Sequence, residues 1–121
     1  MNSTRQIGDE AENMAAEFLT KKGYSILERN WYSGHHEIDI IARDKNMLVF
    51  IEVKFRNSNI YQEPYMAVNR NKQQMLILAA NAYIRNRNIN DEVRFDIISI
   101  VLSQNEHKVE HIENAFYPRV R

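Results

Sequence analysis

The amino-acid sequence predicts an α/β protein in which a mixed central sheet is flanked by helices, in the order α-β-β-β-α-β-β. Three observations predict it. Two long stretches repeat apolar residues at helical spacing, shorter ones alternate apolar with polar residues, and turn-forming residues separate them. One helix precedes a hairpin and the other follows it, which lets helices cover a sheet.

Composition sets the frame. The 121 residues suffice for a core, and a single domain over 1–121 is expected. Hydrophobic content of 44% and charged content of 26% are those of a soluble globular protein. No run of about 18 apolar residues occurs, so no membrane span is expected. The polar N-terminus has no signal-peptide core, and cysteine is absent, which fits a cytoplasmic protein and excludes disulfides and thiolate metal sites. Sixteen basic and sixteen acidic residues balance, which argues against a protein that coats nucleic acid nonspecifically. The balance is uneven along the chain: acids predominate in 1–53 and bases in 54–94.

The first helix is expected from Thr4 to Lys22. Ile7, Ala11, Met14, Ala15, Phe18 and Lys22 share a stripe, Ser3 or Thr4 can cap it, Asp9 and Glu10 sit early, and Gly23 is a natural stop. Glu12 lies about 100° round the helix from Ala11. It either looks across the sheet or stands in water, and local evidence favours water. Tyr24 to Tyr32 reads as a strand and Ser33-Gly34 as a turn. His35 and His36 follow, but adjacent strand residues point to opposite faces, so with Glu37 they make a poor zinc site. His107 and His111 read as surface residues.

The hairpin is the informative stretch. In Glu37–Arg43, Ile38, Ile40 and Ala42 share one face, and Glu37, Asp39 and Ile41 the other. In Met47–Phe55, Leu48, Phe50, Glu52 and Lys54 lie opposite Val49, Ile51, Val53 and Phe55. A loop of Asp44 to Met47 pairs Arg43 with Leu48 and sets Asp39 across from Glu52, with Cβ atoms about 4.5–5.5 Å apart. Facing carboxylates repel unless a cation sits between them or one keeps its proton. Lys54 supplies part of that charge, and a divalent metal would supply more. Hard oxygen ligands suit Mg²⁺ or Mn²⁺. The competing reading is a solvated strand end with an ordinary Glu–Lys pair.

Asn57 to Glu63 reads as a loop closed by Pro64. Asn69 is the expected N-cap of a second helix, Arg70 to Arg87, with Lys72, Leu76, Ala79, Ala80 and Tyr83 on its stripe. Lys72, at the helix start, either reaches the polar end of the sheet or snorkels to water. Asn88 to Asp91 is a turn. Glu92 to Leu102 turns apolar on both faces, as a central strand does. Ser103 to Glu106 is a turn, His107 to Glu113 a final strand, Asn114 to Tyr117 packs after it, and Pro118 to Arg121 forms a tail.

Asp39, twelve intervening residues and then Glu52-Val53-Lys54 resemble the PD-(D/E)xK nuclease signature. The hairpin context and element order give that short pattern its weight, because they match the restriction-endonuclease-like core. The resemblance extends to the YraN-type family of uncharacterised bacterial proteins. It is carried by Glu12-Asn13-Met14-Ala15-Ala16-Glu17-Phe18-Leu19 before Gly23-Tyr24, by Arg29-Asn30, by Glu37 to Ala42, and by Phe50 to Arg56. Ala67-Val68 with Lys72, Arg94-Phe95-Asp96 and Asn114-Ala115-Phe116 complete it. Ala11 and His36 stand where that family usually has glycine, and His36 crowds the mouth of the site.

The family resembles archaeal Holliday-junction resolvases, which implies a metal-dependent endonuclease on DNA, branched or otherwise structured. By that resemblance Asp39, Glu52 and the Val53 carbonyl hold Mg²⁺ or Mn²⁺. Lys54 handles the attacking water, and Glu12 holds a second metal or a metal-bound water. Arg56, Arg70 and Lys72 contact the nucleic acid, and a homodimer is implied. The alternative is a non-catalytic nucleic-acid-binding or adaptor protein that keeps the fold.

Overall fold

The computed structural model describes residues 4–57, 68–103 and 105–117. The expected loop from residue 58 through Pro64, the Ser3 cap, the side chain of Ile7 and the tail Pro118–Arg121 lie outside the described residues.

The elements follow the expected order: α1 (Thr4–Lys21), β1 (Ser25–Ser33), β2 (His36–Asp44), β3 (Met47–Asn57), α2 (Arg70–Asn86), β4 (Glu92–Ser103) and β5 (Glu106–Phe116). One five-stranded sheet runs β1-β2-β3-β4-β5. All neighbours are antiparallel except β3 and β4, which are parallel. A parallel pair needs a crossover, and α2 lies within it. This is the α-β-β-β-α-β-β arrangement of a restriction-endonuclease-like core, with β3 central.

Both helices end by the same device. Gly23 (φ 98°) donates to Thr20 O and Tyr24 N–H reaches back to Leu19 O, each at 3.0 Å. This is a Schellman ending, with Tyr24 and Leu19 packed in one core cluster. Asn88 (φ 51°) takes the glycine's place after α2, with Ile89 N–H on Ile84 O at 3.1 Å. At the other end of α2, Asn69 Oδ1 accepts from Lys72 N–H at 2.9 Å, the expected cap.

The helices cover opposite faces. Ala11, Ala15, Ala16 and Leu19 of α1 pack on Ile40, Val49, Ile51, Ile98 and Ile100. Leu76, Ala79, Ala80 and Tyr83 of α2 pack on Ile41, Leu48, Phe50, Phe95 and Ile97. Phe95 stacks between Phe50 and Phe116, at 5.6 and 5.2 Å. Among the described residues, no helix is long and apolar enough to cross a membrane.

Three local readings are corrected. The β2–β3 turn is two residues, Lys45-Asn46, because Asp44 pairs with Met47; the register beyond it is as expected. Lys45 takes φ 57°. Ile38 joins the α2-side cluster with Trp31 packed nearby, not Ile40 and Ala42. The pairing of β2 with β3 runs only as far as Ile40–Ile51, and beyond it simple alternation no longer fixes the face. His111 is not a surface residue: its side chain is 3% exposed, against Asp96. Pairing with Ile98 brings its ring edge-on to Phe18 and Tyr24, at the end of α1. His107 is exposed.

Candidate functional site

The site forms where β2 and β3 part. The ladder carries Ile40 opposite Ile51, so Asp39 and Glu52 come next. There Asp39 Oδ2 accepts from Val53 N–H at 2.8 Å. The chain thus exchanges a rung of the ladder for a carboxylate fixed by backbone.

Glu52 follows Phe50 on the α2 face and is only 4% exposed. Its Oε2 lies 3.7 Å from both Lys54 Nζ and Lys72 Nζ, so one strand and one helix each send an ammonium to it. Its Oε1 is buried without a hydrogen-bond partner. A buried carboxylate oxygen with no partner is costly, and in a folded protein it asks for an explanation such as an ion or water. Burial, and after it the Glu52 carboxylate, push Asp39 up to about 8.

Glu12 approaches from α1. Burial, followed by the Asp39 and Glu37 carboxylates, pushes it up to about 7. Asn30 holds it: the amide Nδ2 donates to Glu12 Oε1 at 2.6 Å and to Glu37 Oε2 at 3.1 Å. Arg29 adds a second tie between β1 and α1, donating to Asn13 Oδ1 at 2.7 Å. Arg56 follows on β3, half-buried, and Arg70 is exposed at the start of α2, outside the contacts that join Lys72 to Glu52.

The donor set fits a hard divalent cation in part. Asp39, Glu52 and the adjacent Val53 backbone offer oxygen ligands, and the partnerless Glu52 Oε1 has a lone pair that a metal would take. Among the described residues, however, no three acidic or histidine side chains converge into a ready-made cage. A Mg²⁺-like ion with several waters needs only one or two carboxylates. His35 and His36 add no metal site to this set.

A family model described as an uncharacterised protein family, UPF0102, matches residues 11–100. The chain belongs to UPF0102. The UPF0102 protein FP2501 of Flavobacterium psychrophilum is 44% identical over 97% of this chain and 98% of its own length. The UPF0102 protein THEYE_A1950 of Thermodesulfovibrio yellowstonii is 46% identical over 93% and 96%. A UPF0102 protein of Bacteroides thetaiotaomicron is 39% identical over 98% of each chain.

Two features of this UPF0102 chain escaped the sequence reading. Asn30 is the residue that joins Glu12 to Glu37, and its φ of 50° sets it apart from an ordinary strand residue. Arg29-Asn30 was visible as a family motif without a role. The second is the Asp96 cluster on the other face. Arg94 Nε and Nη2 donate to the two Asp96 oxygens, each at 2.9 Å, His111 Nε2 donates at 2.7 Å and Asn114 N–H at 2.9 Å. Lys22 Nζ donates to His111 Nδ1 at 2.8 Å, which leaves Nε2 as the nitrogen that carries the proton towards Asp96. Arg94-Phe95-Asp96 and Asn114-Ala115-Phe116 were visible as motifs; that they close on one another was not.

Proposed function

We propose that the chain is a metal-dependent endonuclease acting on DNA, branched or otherwise structured. The observation that carries this reading is the buried Asp39–Glu52 pair. Burial and mutual repulsion hold Asp39 up to about 8, while one Glu52 oxygen has no partner. Two acids buried together at a stability cost are the sign of a group kept for chemistry rather than for folding.

A bound Mg²⁺ or Mn²⁺ would supply Lewis acidity at the phosphoryl oxygen and a nucleophilic water at neutral pH. Asp39, Glu52 and the Val53 carbonyl would hold it, with Glu12 on a second ion or a bound water. The protein's own work is then orientation and charge. The Lys54 ammonium, which can donate but not accept a proton, orients the water, whose proton passes to bulk water as its oxygen bonds to phosphorus. Lys54 and Lys72 face the negative charge that builds on the phosphoryl oxygens. The phosphorus–oxygen ester bond breaks, and the departing oxygen takes a proton from water and leaves as a hydroxyl. Arg56 and Arg70 extend the positive surface for the rest of the backbone. Two-fold pairing, implied by the resolvase resemblance alone, would present two such sites to a branched substrate in the cytoplasm.

Cleavage of labelled junction, flap, single-stranded and duplex DNA with Mn²⁺, beside an Asp39→Ala control, tests the reading. Calorimetric titration with Mn²⁺ tests the site separately. Absence of heat with the wild-type chain, or heat unchanged in Asp39→Ala, overturns the site.

The alternative is a non-catalytic nucleic-acid-binding or adaptor protein. The observation that favours it is that Lys54 and Lys72 both pair with Glu52 and offset its charge. Binding without cleavage, unaffected by Glu52→Gln, supports it.

A further inference from the structure

We propose that the pocket beside the carboxylates takes one unpaired nucleobase, so that DNA is selected by an unpaired nucleotide next to the phosphate in the site. The inference rests on the nuclease reading above and names its substrate class.

The pocket has a volume of about 220 Å³ and lies between the β1–β2 turn and the first half of α2. Tyr32, His35, His36 and Glu37 line it from the turn; Lys72, Met75 and Leu76 line it from the helix. It is smaller than the roughly 300–1,000 Å³ of a typical small-molecule cleft, and suits one flat ring system rather than a whole nucleotide. Two of its walls belong also to the carboxylate cluster. Lys72 extends to Glu52, and Glu37 shares the Asn30 amide with Glu12. A group in the pocket is therefore one side chain away from Glu52.

The chemistry of the walls selects the occupant. Glu37 repels an anion, and the ammonium of Lys72 is drawn to Glu52, so the pocket is not a phosphate site. An uncharged, flat group with a polar edge fits it. Tyr32 is 61% exposed and Met75 44%, so both side chains are reachable from solvent beside a charged site. An aromatic ring in that place stacks on any base. The imidazoles and Glu37 offer donors and acceptors to the base edge, and a carboxylate accepts from an exocyclic amino group. A base inside a duplex cannot present its face to such a ring without leaving the stack, whereas a flap or single strand offers it freely. His36, which the sequence reading set as an obstruction at the mouth, becomes part of the pocket wall.

The test reads binding in EDTA, by fluorescence anisotropy, on three DNAs. They are a blunt duplex, the same duplex with a single-stranded flap, and the flapped duplex with one abasic residue walked through the first three unpaired positions. The flapped DNA should bind about tenfold or more tighter than the blunt one. One abasic position should lose about that factor, Tyr32→Ala and Met75→Ala should each lose several-fold on flapped DNA only, and Tyr32→Ala with the abasic DNA should lose no more than either alone. 2-Aminopurine at the sensitive position should change its emission with wild type and not with Tyr32→Ala. Equal binding of blunt and flapped DNA, binding of neither, or indifference to every abasic position overturns the pocket. The two readings fail separately. Flap preference without Mn²⁺-dependent cleavage sinks the nuclease and spares the pocket; equal cleavage of blunt and flapped DNA does the reverse.

Discussion

Asp96 and Glu52 are buried carboxylates on neighbouring strands, yet their surroundings are opposites. In the β3–β4 register Asp96 pairs with Ile51, so the two acids stand one step apart on opposite faces of the sheet. On the α1 face both Asp96 oxygens are filled: two N–H groups of Arg94, one of His111 and the Asn114 backbone converge on them. Burial alone would raise Asp96, but those hydrogen bonds outweigh it and hold the carboxyl below its ordinary value. Arg94 is pushed up in turn: burial lowers it, and Asp96 more than compensates. On the α2 face, Glu52 has two ammonium groups at 3.7 Å and one oxygen with nothing, while Asp39 is held above its ordinary value. A carboxylate that stabilises the fold is saturated by its own chain. Glu52, partly unsaturated and beside another acid, lacks that saturation.

The largest effect expected is on the saturated side. Asp96→Asn leaves His111 without its charged partner and leaves Arg94, 12% exposed, with only the more exposed Asp44 and Glu113 as counter-charges. Removing one member of a buried ionic network costs about 3–5 kcal/mol. Urea denaturation should show a loss of that size, with Mn²⁺ binding per folded molecule unchanged. A loss under about 1 kcal/mol would mean that Asp96 does not hold the β4–β5 bulge, and the contrast would lose its structural half.

Asp39→Asn should behave in the opposite way, and pH gives the sign. Asp39 is raised from 3.8 to about 8, so the folded state binds more protons than the unfolded one between those values. The stability contributed therefore falls as pH rises from about 4 to about 8. Glu12, raised to about 7, adds to the same slope. Asp96, held low, acts in reverse: its contribution is present above its unfolded value and is lost as pH falls through the folded one. Thermal melts of the metal-free chain should thus decline from about pH 5 to pH 8.5. Asp39→Asn should match wild type near pH 5 and exceed it by on the order of 1 kcal/mol at pH 8.5. Excess Mn²⁺ should close that gap for wild type only, because a ligand that binds the folded state stabilises it by mass action. Parallel melts at both pH values would show that the Asp39–Glu52 pair is not frustrated.

The sequence made one half of this contrast legible and hid the other. Alternation and turn chemistry were enough to bring Asp39 next to Glu52, because a hairpin register depends on the residues nearest its turn. Those residues were close in sequence, and the one error there, a four-residue loop for a two-residue turn, left the register intact. The Asp96 cluster depends on distant pairing. Asn114 meets Asp96 only because β5 bulges between the Phe95–Phe116 and Ile97–Ile112 pairs, and its φ of 55° belongs to that bulge. His111 is buried by the end of a helix ninety residues earlier in the chain. Nothing local in Glu106 to Phe116, mostly polar and charged, signals either event. Lys72 was intermediate: its stripe was readable, but its reach to Glu52 required the crossover of α2 over the sheet.

The smallest effect expected tests how the two halves of the carboxylate cluster are joined. Asn30 is an exposed residue whose single amide nitrogen holds Glu12 and Glu37 together, and its loss removes no core contact. Asn30→Ala should cost less than about 1 kcal/mol in urea, as the loss of exposed hydrogen bonds does. Mn²⁺ affinity at Asp39 and Glu52 should change little, since neither touches Asn30. If Glu12 must be aimed at a second ion or a bound water, cleavage should still fall about tenfold, in kcat more than in KM, because misaiming a group is felt in the transition state. Asn30→Asp keeps the shape and adds a fifth acid to Glu12, Glu37, Asp39 and Glu52, so its activity should fall further. Equal activity in Asn30→Ala and wild type would detach Glu12 from the chemistry and leave a site of Asp39, Glu52 and Lys54 alone.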